Sequence, residues 1–289
     1  MMTHIINTTI SNRVPRELRK RIEEAKRVNN ITSNQRPDSI LTIIACHTDT
    51  FAKVNAVLTN ISKLRFPANK VVVVNSSNAK YSYKLKTCMH RFPAIEYYEI
   101  PNSMRLDIGK WMYYLQHHYQ KNYSYVVFTN DSYLLTSPIY HFFNMMLRSG
   151  VHLYGYNDSS QIKYHYQSYL FGVKADAVPI LINHYNTVYA KLTDYMSVVN
   201  NIELRLVEIF PTKDCFLKLA RLPGHENQNI FFTNDALYNI LMKEGVMPIY
   251  KMKRLYSTPD TPAQPVLGNS YSQRGALLNS LMPARFGIQ

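Results

Sequence analysis

Three cysteines in 289 residues, Cys46, Cys88 and Cys215, are too few for a disulfide framework, and their spacing offers no metal-binding pair. A reducing, cytoplasmic compartment is the expectation that follows. Long apolar runs are also missing. Nothing approaches the ~20 residues that a membrane-spanning helix requires. Residues 1–9 lack a basic stretch leading into an apolar one, so no signal peptide is expected either. Peripheral contact with a membrane surface is left open. Acidic residues are scarce, 19 Asp and Glu against 33 Lys and Arg, giving a net charge of +14. Such a balance favours anionic partners: nucleic acid, acidic lipid or phosphorylated small molecules. Tryptophan occurs once, while tyrosine occurs 23 times. No aromatic stacking platform and no basic stripe accompany these residues, so a nucleic-acid partner is not expected. A basic, nucleic-acid-binding α/β protein is nevertheless the alternative that the charge raises.

The composition, 46% hydrophobic and 18% charged, is that of a globular chain. Residues 15–29 read as a charged helix opened by Pro15, and residues 32–39 as a polar linker. The pattern then alternates. Strands are expected at residues 40–46, 70–75, 95–100 and 125–129, the second on the strength of four consecutive valines. Helices are expected at residues 51–64, 81–92 and 107–119. Four strand–helix alternations with short connections imply an α/β fold, a Rossmann-like, mostly parallel sheet flanked by helices. The second half is less regular, with strands at 152–156 and 168–173 and helices at 177–189 and 235–243. An irregular, Pro- and Ser-containing tail follows residue 257.

In a sheet of this kind ligands bind beyond the carboxyl ends of the strands. The residues there are His47, Thr48 and Asp49, then Asn75, Ser76 and Ser77, then Pro101 and Asn102, and finally Asn130, Asp131 and Ser132. The last set matters most. A carboxylate at Asp131, directly after a hydrophobic strand, could hold a divalent cation against a diphosphate; equally, it could cap the turn after the strand.

The same stretch carries a resemblance. Asn130-Asp131-Ser132 followed by Ser137-Pro138-Ile139 resembles an element of the rhamnan-synthesis F-type glycosyltransferases. Further blocks are similar in order: Pro101-Asn102 with Arg105 and Asp107-Ile108-Gly109-Lys110-Trp111; Gly155-Tyr156-Asn157-Asp158-Ser159; Tyr164-His165-Tyr166-Gln167-Ser168-Tyr169; Glu203; and the stretches 234–241 and 245–251. The similarity spans about residues 40–256. It implies a GT-A-like fold, with a donor nucleotide-binding half at 40–135 and an irregular acceptor half at 136–256, between the segment 1–39 and the tail 257–289. It implies transfer of a sugar, a deoxyhexose such as rhamnose, from a nucleoside-diphosphate donor to a glycan acceptor. Two departures stand out. Leu106 interrupts the family's Arg-Asp pair, and Asn130 replaces the first acid of the usual Asp-x-Asp.

Roles follow from the chemistry. His47, Asp49, Asn75, Arg105, Asp107, Lys110, Asn130, Asp131, Ser132 and Lys251 are the donor-binding candidates. Asp49 and Asp107 are alternatively helix N-terminal acids. A cation, Mn2+ or Mg2+, would use Asp131 and a late ligand at His225; Lys or Arg could do the neutralising instead. Asp158, expected in a polar loop after a strand, and Glu203 are the candidate general bases of an inverting reaction. His165 and Gln167 are candidate acceptor ligands. The weakened Asp-x-Asp also leaves open a transferase-like carbohydrate-binding protein without activity.

Overall fold

In the computed structural model, the described residues are 39–64, 66, 69–103, 105–222 and 235–252, with Arg16, Arg19, Lys20, Glu23 and Glu24. Those five are helical and exposed. The tail expected after residue 257, together with His225, lies outside the described residues.

The alternating half folds as its pattern requires. Strands β1 (Ile40–Cys46), β2 (Asn69–Ser76), β3 (Glu96–Ile100) and β4 (Tyr125–Asn130) run parallel in the spatial order β3-β2-β1-β4. Helices α1 (Phe51–Lys63), α2 (Ser82–Met89) and α3 (Leu106–His117) connect them. Side-chain alternation divides the core into two layers. Ile40, Ile44, Val71, Val73 and Val127 face α1 and α2, packing on Val54, Val57, Leu85 and Met89. Leu41, Ile43, Val72, Val74, Val126 and Phe128 face α3, packing on Ile108, Trp111 and Leu115. The valine run at 71–74 is thus apolar throughout because both faces of β2 are covered.

Beyond β4 the sheet turns mixed. Strand β8 (Leu170–Lys174) runs antiparallel between β4 and β6 (Leu153–Ser159), and β6 pairs in parallel with β9 (Lys213–Leu217). One sheet therefore runs through both halves of the chain. Short β7 (His165–Tyr166) folds back on the end of β6, Asp158 opposite Tyr166. A second, two-stranded sheet joins β5 (Tyr133–Leu135) to β10 (Ile249–Lys251). Helices α4 (Tyr140–Ser149), α5 (Val178–Val188), α6 (Tyr195–Asn201), α7 (Leu206–Ile209) and α8 (Asp235–Lys243) complete the described elements. The architecture is α/β, a central sheet flanked by helices on both faces, as the alternation implies. Among the described residues no helix is long and apolar enough to cross a membrane.

One expectation is corrected here. Asp158 does not sit in a polar loop: β6 continues through Ser159, and Asp158 is buried inside it. The polar run Asn157-Asp158-Ser159 is strand because β7 pairs with it and the Ala220 N–H donates to Asp158 Oδ1, partners that no local pattern reveals.

Candidate functional site

The carboxyl ends of β1 and β4 meet at Asp131. Asn130, not Asp131, closes the turn after β4: its Oδ1 accepts from the N–H of Ser132 at 3.1 Å and from the Ser132 hydroxyl at 2.6 Å. Asp131 is thereby released to face β1, where its Oδ2 accepts from the backbone N–H of His47 at 2.8 Å. Asn130 also reaches α3, its Nδ2 donating to Asp107 Oδ2 at 2.9 Å. Three strand and helix ends are tied together through two adjacent residues.

Lysines surround these carboxylates. Lys53, in the first turn of α1, places its ammonium 3.0 Å from Asp49 Oδ1, 3.8 Å from Asp131 Oδ2 and 3.1 Å from the His47 carbonyl oxygen, to which it donates. Lys110, one turn into α3 after Asp107, is 3% exposed and donates to Asn102 Oδ1 at 3.3 Å. Lys251 arrives from the far end of the chain on β10. Its Nζ donates to Ser132 Oγ at 3.2 Å and lies 3.7 Å over the ring of Tyr169. The β5–β10 pairing, Lys251 opposite Tyr133, delivers it there.

The electrostatics reflect burial. Asp131 is pushed up from 3.8 to about 6, chiefly by loss of water and further by the charge of Asp107, against the pull of Lys53. Burial likewise raises Asp107, with Lys110 opposing. Burial works to lower the Lys53 ammonium, but the Asp131 and Asp49 carboxylates outweigh it, and Lys53 holds its proton more tightly than usual. His47 is shifted down by burial and by Lys53, and its Nδ1 is buried without a hydrogen-bond partner. The edge is a partly buried, mixed-charge cluster with an unpaired ring nitrogen. It can offer ammonium donors to an anion and carboxylate acceptors to hydroxyl groups.

Other sequence candidates are placed elsewhere or are already engaged. Asp49 is not the cap of α1; Thr50 is, its side chain accepting from Lys53 N–H at 3.3 Å. Asn75 is fully buried and occupied, accepting from Thr48 Oγ1 at 3.3 Å and donating to Tyr97 Oη at 3.2 Å. The Arg105 guanidinium stacks 3.7 Å from the centre of the Tyr189 ring, tying the start of α3 to the segment after α5. The interrupting Leu106, the first residue of α3, takes a left-handed backbone, φ 52, and Asp107 in the same first turn accepts from Asn130. Such a conformation costs an L-residue roughly 1–2 kcal/mol. Asp158 Oδ1 accepts from Ala220 N–H at 2.8 Å, and burial raises its pKa. Glu203 is accessible by comparison and sits 3.7 Å from His165 Nε2, whose Nδ1 is 2.7 Å from the Lys163 carbonyl. Gln167 is buried, its backbone N–H donating to the Asn157 carbonyl at 3.0 Å.

Lys53 was not among the sequence candidates. Its signal was present but faint: an acid and a lysine four residues apart across a helix start, a pairing that most surface helices also show.

The residues at this edge fit a divalent ion poorly. Asn130 turns an amide N–H2, not an anion, toward Asp107, and Asp131 already accepts from a backbone N–H. No group of three or more His, Cys, Asp or Glu able to hold a metal occurs among the described residues. A cleft of about 490 Å3 opens at the opposite, amino edge of the sheet, lined by Lys121, Tyr123, Tyr125, Lys174 and Asp176 among others. It takes in none of the candidates.

No protein-family model matches the chain. Over 93 residues it is 37% identical to the virulence protein VirA of Vibrio anguillarum, a stretch covering 30% of this chain and 29% of VirA. Among solved structures it is similar to 4-diphosphocytidyl-2C-methyl-D-erythritol synthase of Anaerococcus prevotii (TM-score 0.44, 8% identity, 72% of this chain and 97% of that one). It is also similar to the mannosyltransferase PcManGT of Pyrobaculum calidifontis, solved with GDP-Man and Mn2+ (TM-score 0.39, 12% identity, 55% of this chain and 52% of that one). A third is HddC of Yersinia pseudotuberculosis (TM-score 0.39, 8% identity, 62% of this chain and 90% of that one).

Proposed function

We propose that the chain is a glycosyltransferase that moves a sugar from a nucleoside-diphosphate donor to a glycan acceptor. The observation that carries the reading is the joining of Asp107, Asn130 and Asp131 at the carboxyl edge of a parallel sheet, ringed by Lys53, Lys110 and Lys251. Ammonium groups held in place and partly shielded from water stabilise the charge that develops on a departing diphosphate. Asp107 and Asp131 accept from the hydroxyls of the ribose or the sugar. His47, with its unpaired Nδ1, offers a contact to the nucleoside.

The reaction breaks the bond from the anomeric carbon to the diphosphate oxygen, which keeps the electron pair. The acceptor hydroxyl forms the new bond from the opposite face and gives its proton to a general base. Glu203 serves that role better than Asp158, because its carboxylate is reachable while Asp158 holds the backbone at Ala220. His165, whose Nε2 lies 3.7 Å from Glu203, contacts the acceptor. The resemblance to the rhamnan-synthesis family supports a deoxyhexose such as rhamnose as the sugar, and three free cysteines suit a reducing compartment. The divalent cation that the resemblance implies enters as a dependence to be measured, and no step is routed through it.

The test is a panel of nucleotide sugars, read by thermal shift and by nucleotide release, with and without Mn2+ and Mg2+. At least one donor raises the melting temperature and is turned over, and Asp131→Ala abolishes turnover while the fold persists. Donor binding without turnover under any acceptor would instead identify a transferase-like binding protein. A folded sample that responds to no nucleotide sugar refutes the reading.

A further inference from the structure

We propose that the ammonium of Lys53 fills the charge-neutralising position at this edge, so that the donor diphosphate is bound and released without a metal ion. The inference rests on the nucleotide-sugar reading above and identifies the group that performs its electrostatic work. A hard divalent cation would require a set of oxygen ligands at the end of β4. Those oxygens are present, and a nitrogen already lies among them: Asp49 Oδ1, Asp131 Oδ2 and the His47 carbonyl lie 3.0, 3.8 and 3.1 Å from Lys53 Nζ. The two shorter separations suit N–H donation and the 3.8 Å one an ion pair, whereas magnesium would demand contacts near 2.1 Å.

The sequence departure at Asn130 belongs to the same arrangement. A second carboxylate beside Asp131 would be left facing Asp107 with like charge. The amide instead donates to Asp107 and accepts from Ser132, so the cluster is satisfied without a 2+ ion. Lys110, on Asn102, and Lys251, on Ser132, add two more ammoniums whose charge acts on Asp107.

Lys53 is also able to respond to a ligand. Its side chain is 24% exposed and its tightest partner, Asp49, is 48% exposed, so both face solvent on one side. An incoming diphosphate can replace the Asp49 carboxylate and the His47 carbonyl as acceptors while the ammonium stays beside Asp131. In the transfer step Lys53 keeps its proton. It donates a hydrogen bond to the oxygen that receives the electron pair of the broken glycosyl bond.

Calorimetric titration with UDP, GDP and dTDP, and sugar transfer from the matching nucleotide sugar, are measured in EDTA and in Mn2+ on wild type, Lys53→Arg and Lys53→Met. The wild type is expected to keep affinity and turnover in EDTA within about threefold of the values in Mn2+. Lys53→Met loses at least about thirtyfold in diphosphate affinity in EDTA and regains part of it with Mn2+, because the vacated oxygens can then take the ion. Lys53→Arg keeps most of the affinity. Circular dichroism melting of Lys53→Met identifies a folding defect, and Lys53→Arg then carries the comparison. Wild-type turnover lost in EDTA and restored by Mn2+ overturns the assignment and leaves the transferase reading standing. A Lys53→Met protein that matches wild type in EDTA overturns it as well. Failure of every nucleotide to bind in both conditions overturns the transferase reading and the lysine assignment together.

Discussion

Replacing Asp131 by Asn should make the protein more stable, not less, and the gain should depend on pH in a defined way. Burial raises this carboxyl from 3.8 to about 6, so the folded state holds the charged form at a cost. A displacement of about two pH units at about 1.4 kcal/mol each amounts to roughly 3 kcal/mol. The sign follows from the raised pKa. The protonated form is the one that suits the fold, so the contribution of Asp131 is fully favourable below pH 3.8 and is lost as pH rises through about 6. An amide mimics the protonated form and can still accept from the His47 N–H. Asp131→Asn should therefore gain about 2–3 kcal/mol at pH 7.5 and nothing at pH 3.5. Urea denaturation at both values measures it. A variant no more stable than wild type at pH 7.5, or equally stabilised at both values, refutes the reasoning. A stability cost of this size at a carboxylate is what a site held ready for a ligand would carry.

Other outcomes follow from the same geometry. Turnover that needs ionised Asp131 should fall below pH 6, about tenfold per unit at the acid limb, in a pH profile of kcat/KM. Glu203→Gln should lower kcat by about a hundredfold or more with the donor KM little changed, as expected for loss of a general base; unchanged kcat returns that role to another group. Thr50→Ala removes the cap of α1 and should cost about 1 kcal/mol by chemical denaturation. Gly155→Ala should cost about 1–3 kcal/mol, because a methyl group there would lie 2.7 Å from the Tyr166 ring and no flexible end can move aside.

The half of the fold made of regular alternation was readable in the sequence, and the reason is physical. β1, β2 and β4 are buried on both faces, so their runs are apolar on successive residues with no regular polar alternation, and α1 and α3 carry their apolar residues at helical spacing. What escaped was structure made by distant partners. β10 is three residues long and exists because it pairs with β5; β7 is two residues held against the end of β6. Helix α4 was not anticipated, although Phe142, Phe143 and Met146 all join the core from it.

The site divided along the same line. Asp107, Asn130 and Asp131 were legible because each follows or opens an element at the carboxyl edge, and the fold brings them within hydrogen-bonding range of one another or of β1. Lys251 reaches Ser132 as well, from 119 residues away. Arg105 is drawn instead to Tyr189, and Asn75 is spent inside the sheet. Those outcomes depend on which side of a strand end each group faces, which spacing does not encode. Lys53 lies inside a helix, not after a strand, where only a faint sequence signal marks it.

The most direct test of the account is the position of a nucleoside diphosphate in a crystal of this protein soaked with UDP, GDP or dTDP. The diphosphate should lie at the carboxyl edge, within hydrogen-bonding distance of the Lys53 and Lys110 ammoniums and beside Asp131. A nucleotide seated instead in the amino-edge cleft between Lys121 and Lys174 would contradict it.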